Sequence, residues 1–112
     1  MAKENPYNLS AAFEKAERLD KEAQSLVDKL KQSSSVCEKK EILDRLYKAQ
    51  FNNYLTHVGI RNEMQKSLKD MPTDFYQDVK AGIDGEERAL LHLQKNLENI
   101  QADSNTLSIK LL

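Results

Sequence analysis

Apolar residues recur along this chain with a helical period in three long stretches. In the first they fall at Leu9, Ala12, Ala16, Leu19, Ala23, Leu26 and Leu30, in steps alternating three and four. That spacing keeps one helix face apolar and forms a heptad seam. Phe13 and Val27 widen the stripe, and its Ala positions let a neighbouring helix approach closely. Asn5 or Asn8 is placed to cap the N-terminus, with Pro6 suited to the first helical position. The polar run Gln32-Ser33-Ser34-Ser35 ends the helix.

Ser35 and Glu38 have the S-x-x-E spacing of a capping box and open a second helix. Its stripe reads Val36, Leu43, Tyr47, Phe51, Tyr54 and Val58, with Leu46 and Leu55 alongside, then Ile60, Met64, Leu68 and Met71. At about 100° per residue, Leu68 falls roughly 80° and Met64 about 120° behind Val58, so this stripe changes face at Gly59. Asn52, Asn53, Thr56 and Gly59 cluster there and are weak helix formers, Gly costing about 1 kcal/mol against Ala. The pattern therefore predicts a second helix kinked or interrupted near Gly59. It must end by Met71, because Pro72 disfavours helical geometry in the residue before it.

The third stretch runs Tyr76, Val79, Ile83, Glu86, Leu90, Leu93, Leu97, Ile100, Ser104, Leu107 and Leu111, again in alternating steps of three and four. Thr73 or Met71 is expected near its cap. The register passes Gly82 and Gly85 without slipping, which argues for one helix over a break with a new start at Asp84. The tail ADSNTLSIKLL is a poorer helix former and is expected to fray.

The fold these patterns predict is all-α: an elongated, coiled-coil-like antiparallel three-helix bundle. Residues 1–112 form one domain, with helices at about 7–32, 36–70 and 73–110. At 1.5 Å per residue these would span roughly 39, 52 and 57 Å. Short connections make successive helices antiparallel neighbours. The longer helices overhang the first, and unmatched apolar seam invites a second copy or a partner helix.

Composition narrows the function. Three Gly and two Pro give little turn chemistry for strands. The net charge is −1, and no segment is strongly basic: residues 1–35 balance, 36–71 carry +2 and 72–112 carry −3. Nucleic acid binding needs a concentrated basic field, so it is not expected. The lone Cys37 forms no internal disulfide and suits a reducing compartment, hence an expected cytoplasmic location. MAKENPYNLS lacks the apolar core of a signal peptide, and no apolar run exceeds three residues, so no membrane segment is expected.

The residues that carry chemistry are sparse. His57 and His92 are the only histidines, and neither stands in an E-x-x-H or H-x-x-x-H spacing, so no metal is predicted. Cys37, in the first turn of a helix, is read as inert for lack of a basic partner. Gly82-x-x-Gly85 is not a phosphate-binding loop. Glu86 occupies a seam position, where one polar residue more often sets register or marks an exposed end than does acid–base work. No catalytic constellation, cofactor site or small-molecule substrate site is expected.

The strongest local feature is the aromatic group Tyr47, Phe51 and Tyr54. At helical spacing it reads first as core. Its functional reading is a groove for a partner helix, since aromatics dominate binding hot spots. Asn52, Asn53 and His57 would then supply polar rim contacts. The candidate partner-binding residues are Tyr47, Phe51, Asn53, Tyr54, His57, Met64 and Leu68, and the methionines suit an adaptable surface.

The stretch EILDRLYKAQFNNY at 41–54, with DFYQDV at 74–79, resembles the helical arm of V domains in ALIX-type membrane-trafficking adaptors. That resemblance implies binding of short peptide motifs by long helices. The second arm of such a domain has no counterpart in this chain.

The expected function is a non-catalytic protein–protein interaction module, a small adaptor or scaffold subunit of a cytoplasmic assembly such as a trafficking, tethering or cytoskeletal complex. Its partner would be another protein or a second copy of the chain. The alternative is a regulator of an enzyme or chaperone that binds through a charged helix face. Such contacts would weaken with salt.

Overall fold

In the computed structural model the described residues are 7–111. They form α1 (Leu9–Gln32), α2 (Val36–Leu68) and α3 (Thr73–Lys110), and no strand occurs among them. Asn8 caps α1, its Oδ1 accepting from the Ala11 N–H at 2.9 Å. The alternative cap, Asn5, and the expected first-turn Pro6 lie outside the described residues. Ser35 caps α2, its Oγ accepting from the Glu38 N–H at 3.3 Å. At α3 the expected cap, Thr73 or Met71, is corrected to Pro72, which makes no side-chain cap bond. Pro suits this boundary because its fixed φ fits the helix entrance and it has no N–H to leave unsatisfied.

α2 is the central helix. It packs against both α1 and α3, whose Cα traces stay more than 8 Å apart among the described residues. The assembly measures 58 × 31 × 21 Å. A buried core cluster joins Ala23 and Leu26 of α1, Ile42, Leu43, Leu46 and Ala49 of α2, and Ile100 of α3. Ala12, Ala16 and Ala23 are buried along α1 as the heptad reading requires. On α3 every seam position from Ile83 to Ser104 is buried: Ile83, Glu86, Leu90, Leu93, Leu97, Ile100 and Ser104. That helix passes Gly82 and Gly85 unbroken and continues to Lys110, so the expected fraying of its tail is not seen.

The second helix differs from its expected form. It is continuous through Gly59, so an interruption there is ruled out. Its inward line is Ile42, Leu46, Ala49, Asn53, Thr56 and Ile60, again spaced by four and three. Followed along this line, Ile60 lies seven residues beyond Asn53 on the same face, and the buried face does not change at Gly59. The aromatic stripe is the outer flank of α2, with Phe51 exposed and Tyr47 and Tyr54 half-buried. The weak helix formers have other roles than breaking the helix. Thr56 spends its hydroxyl on the Asn52 carbonyl at 2.8 Å, which allows its burial. Gly59 has no positive φ; it makes room for Tyr7, since a Cβ there would stand 2.7 Å from the Tyr7 Oη.

Ile60 is fully buried on the inward line of α2. Truncating a buried Ile to Ala costs about 2–5 kcal/mol through lost transfer energy and the cavity left behind. Urea unfolding of Ile60→Ala is expected to show a loss in that range. A loss below about 1 kcal/mol would place Ile60 outside the core.

Candidate functional site

Two features stand out from the apolar packing: a polar belt inside the bundle and a groove outside it.

The belt is built on one turn of α2. Asn53 is 1% exposed, and its Nδ2 donates to Asp20 Oδ1 of α1 at 2.7 Å. One turn on, His57 Nδ1 meets Glu86 Oε2 of α3 at 2.5 Å, with the two side chains 15% and 10% exposed. α2 thus sends one polar side chain to each neighbour. The Asn53 Oδ1 is buried and has no protein partner among the described residues. An unsatisfied buried acceptor costs about 1–3 kcal/mol, so this position carries a real penalty.

Two of the expected partner contacts, Asn53 and His57, therefore sit inside the bundle. Asn53 is engaged inside the bundle and cannot form part of an outer rim in this conformation. His57 is engaged with Glu86 between α2 and α3. The remaining candidates separate. Tyr47 and Phe51 stack with ring centroids 6.3 Å apart and planes 7° from parallel. Tyr54 is half-buried on the same flank. Met64 and Leu68 are half-buried nearer the α2–α3 turn, with Met64 Sδ 3.6 Å from where a Gly82 Cβ would stand. The seven residues therefore do not form one surface. Among the described residues no group of three or more His, Cys, Asp or Glu is placed to hold a metal ion. No described helix is long and apolar enough to cross a membrane.

The groove lies between the N-terminal half of α1 and the outer side of α2 and has a volume of about 420 Å³. Tyr7, Ala11, Ala12, Leu55 and Gly59 give it apolar or small walls, with Asn8, Asn52 and Thr56 between them. Its one charged lining residue is Lys15. Leu55 is 51% exposed, and Phe51, one turn away on α2, extends the apolar surface. The Tyr7 hydroxyl is held above the ordinary phenol range, first by partial burial and then by the carboxylates of Glu63 and Glu86. The residue is exposed overall, but the end that ionises is the one pressed against Gly59.

Sequence reasoning placed Leu55 beside the aromatic stripe but missed its pairing with Tyr7 and Lys15. That pairing arises only when α1 folds back along α2, and no local spacing encodes it. The His57–Glu86 contact had a partial signal, a carboxylate at a seam position.

Comparisons of the chain with protein-family models, curated proteins and solved structures give no match. The resemblance of residues 41–54 and 74–79 to V-domain arms therefore gains no support from a family match.

Two outcomes follow from this geometry. A double-mutant cycle on His57→Ala and Glu86→Ala, read by chemical unfolding, is expected to give a coupling of about 1–3 kcal/mol. Strictly additive losses would show that the pair does not hold α2 to α3. The second concerns alkaline pH. Folding favours the neutral Tyr7 phenol, so its contribution is complete below the unfolded value of 10.0 and is lost as pH rises through the higher folded value. Stability should fall more steeply above pH 10 in the native chain than in Tyr7→Phe. Identical slopes would place the Tyr7 hydroxyl in free solvent.

Proposed function

We propose that this chain is a non-catalytic protein–protein interaction module, a small helical adaptor or scaffold subunit of a cytoplasmic assembly. In this reading the groove between α1 and α2 receives a helix from the partner. The observation that carries it is the position of the apolar surface left over when the bundle closes. Leu55 and Phe51 are large, exposed and one turn apart on α2, and Leu55 with Tyr7 lines a concave strip between two helices. A helix laid in such a strip buries apolar side chains against a preformed wall, the helix-in-groove mode of recognition. Aromatic anchors such as Phe51 and Tyr7 suit it, since they bring large contact area with few rotatable bonds. The site differs from the aromatic-and-histidine surface expected from sequence, because Asn53 and His57 are spent inside the bundle.

A photo-crosslinking amino acid at position 55, compared with one at exposed Glu17 on the outer side of α1, tests the reading in cells. Crosslinks to protein at position 55 that are lost when Gly59→Leu fills the groove are expected. Equal crosslinking at 17 and 55, or none at 55, would overturn the groove as a binding site.

A further inference from the structure

The three helices are not held equally. α1 puts Ala12, Ala16, Ala23 and Leu26 into the buried interior, so only Leu26 among them carries more than a methyl group. α3 puts in Ile83, Leu90, Leu93, Leu97 and Ile100. Hydrophobic stabilisation scales with the apolar area removed from water, and dispersion contacts grow with it. Half-buried Leu9, Leu19, Val27 and Leu30 add to the hold on α1, but each keeps part of its surface in water. By this measure α3 is anchored to α2 more strongly than α1 is.

The polar contacts repeat the asymmetry. Among the described residues one side-chain hydrogen bond joins α1 to another helix, from Asn53 Nδ2 to Asp20 Oδ1. Asp20 is exposed, so water competes for its carboxylate, and α1 supplies no donor to the buried Asn53 Oδ1. α2 and α3 are joined twice, by His57 with Glu86 and by Lys40 Nζ donating to Ser104 Oγ at 3.5 Å.

Connectivity leaves α1 free to move. Its Cα trace comes within 8 Å of α2 but not of α3 among the described residues. Residues 33–35, all serine, link it to α2, and Ser33 and Ser35 are already extended. A rotation there swings α1 without unwinding either helix. Tyr7, just before α1, touches α2 at Gly59 but is itself exposed.

We propose that α1 opens away from α2 as one unit while α2 and α3 stay paired, and that this opening regulates the groove. Ala11, Ala12 and Lys15 of α1 form one wall of the groove, so the open form has none. It bares instead the part of α2 where Ile42, Leu46 and Ala49 share a buried cluster with Ala23 and Leu26. A helix seated in the groove binds only the closed form and shifts the balance toward it. That consequence rests on the groove reading above; the opening itself does not.

Native-state hydrogen exchange of the full chain, read by NMR over a series of low denaturant concentrations, tests the opening. The Ala16, Ala23 and Leu26 amides are expected to share one opening free energy. Relative to their intrinsic rates they should exchange at least about 100-fold faster than the amides of Leu46, Ala49, Leu93 and Leu97. Ile83→Val weakens the hold of α3 and should accelerate the α2 and α3 amides about two- to tenfold, leaving those of α1 unchanged. Ala16→Gly should accelerate all three helices by at least about fivefold, because global unfolding includes the release of α1. Equal protection in the three helices, α1 amides that grade smoothly from its ends, or α1 amides that respond to Ile83→Val as the others do would each overturn the proposal. The crosslinking at position 55 separates it from the groove reading. Opening without specific crosslinks at 55 would remove the groove and keep the opening. Specific crosslinks at 55 with three equally protected helices would keep the groove and remove the opening.

Discussion

The arrangement depends on two polar contacts that leave α2 one turn apart in different directions. Asn53 reaches Asp20 on α1, and His57 reaches Glu86 on α3. The apolar seams alone do not fix how the helices slide along one another. On α3, shifting the seam by seven residues places Leu93 or Val79 where Glu86 stood, and the apolar contacts are replaced by similar ones. The polar contacts are not replaceable in that way. A slip would leave His57 against Leu93 or Val79, and the same slip of α1 would leave Asn53 against Phe13 or Val27; each orphaned group would cost about 1–3 kcal/mol. A single polar seam residue fixing register is the best-attested use of buried polarity in helical assemblies. Here one helix does it for two neighbours at once, which a central helix requires.

The same constraint explains which parts of the fold were legible in the sequence. α1 and α3 each pack mainly along one line, so their threes and fours can be read directly, and the buried positions from Ile83 to Ser104 follow the seam without exception. α2 has neighbours on two sides, so its buried arc is wider than one stripe. Its inward line is also polar where the belt crosses it, at Asn53 and Thr56. A reading that follows apolar residues runs beside that line, through Leu43, Tyr47, Phe51, Tyr54 and Val58. The apparent change of face at Gly59 follows from this offset. The helix itself continues past it with Ile60 in register.

The candidate site was less legible for a related reason. Weak helix formers between 52 and 59 mark a place where the chain accepts a local cost, and the sequence displays that cost without its cause. The cause lies in the partners: Asp20 for Asn53, Glu86 for His57, Tyr7 for Gly59. Each partner is 29 or more residues away in the chain. A helix break and a set of tertiary contacts predict the same composition, and only the apposition of three helices separates them.

Inward and outward surfaces on α2 thus divide the work within one short stretch. The polar residues at 53 and 57 point into the bundle, where desolvation makes them selective for a single register. The apolar residues at 51 and 55 stand on its exposed side, outside the buried core cluster. This inverts the usual distribution along a helix, in which polar groups face water and apolar groups face the core. The two halves of the inversion have different standing. Buried polarity is already repaid by register specificity within the chain. Phe51 and Leu55 stay exposed even though Phe51 stacks on Tyr47, and any further burial of them would need a surface outside the three helices.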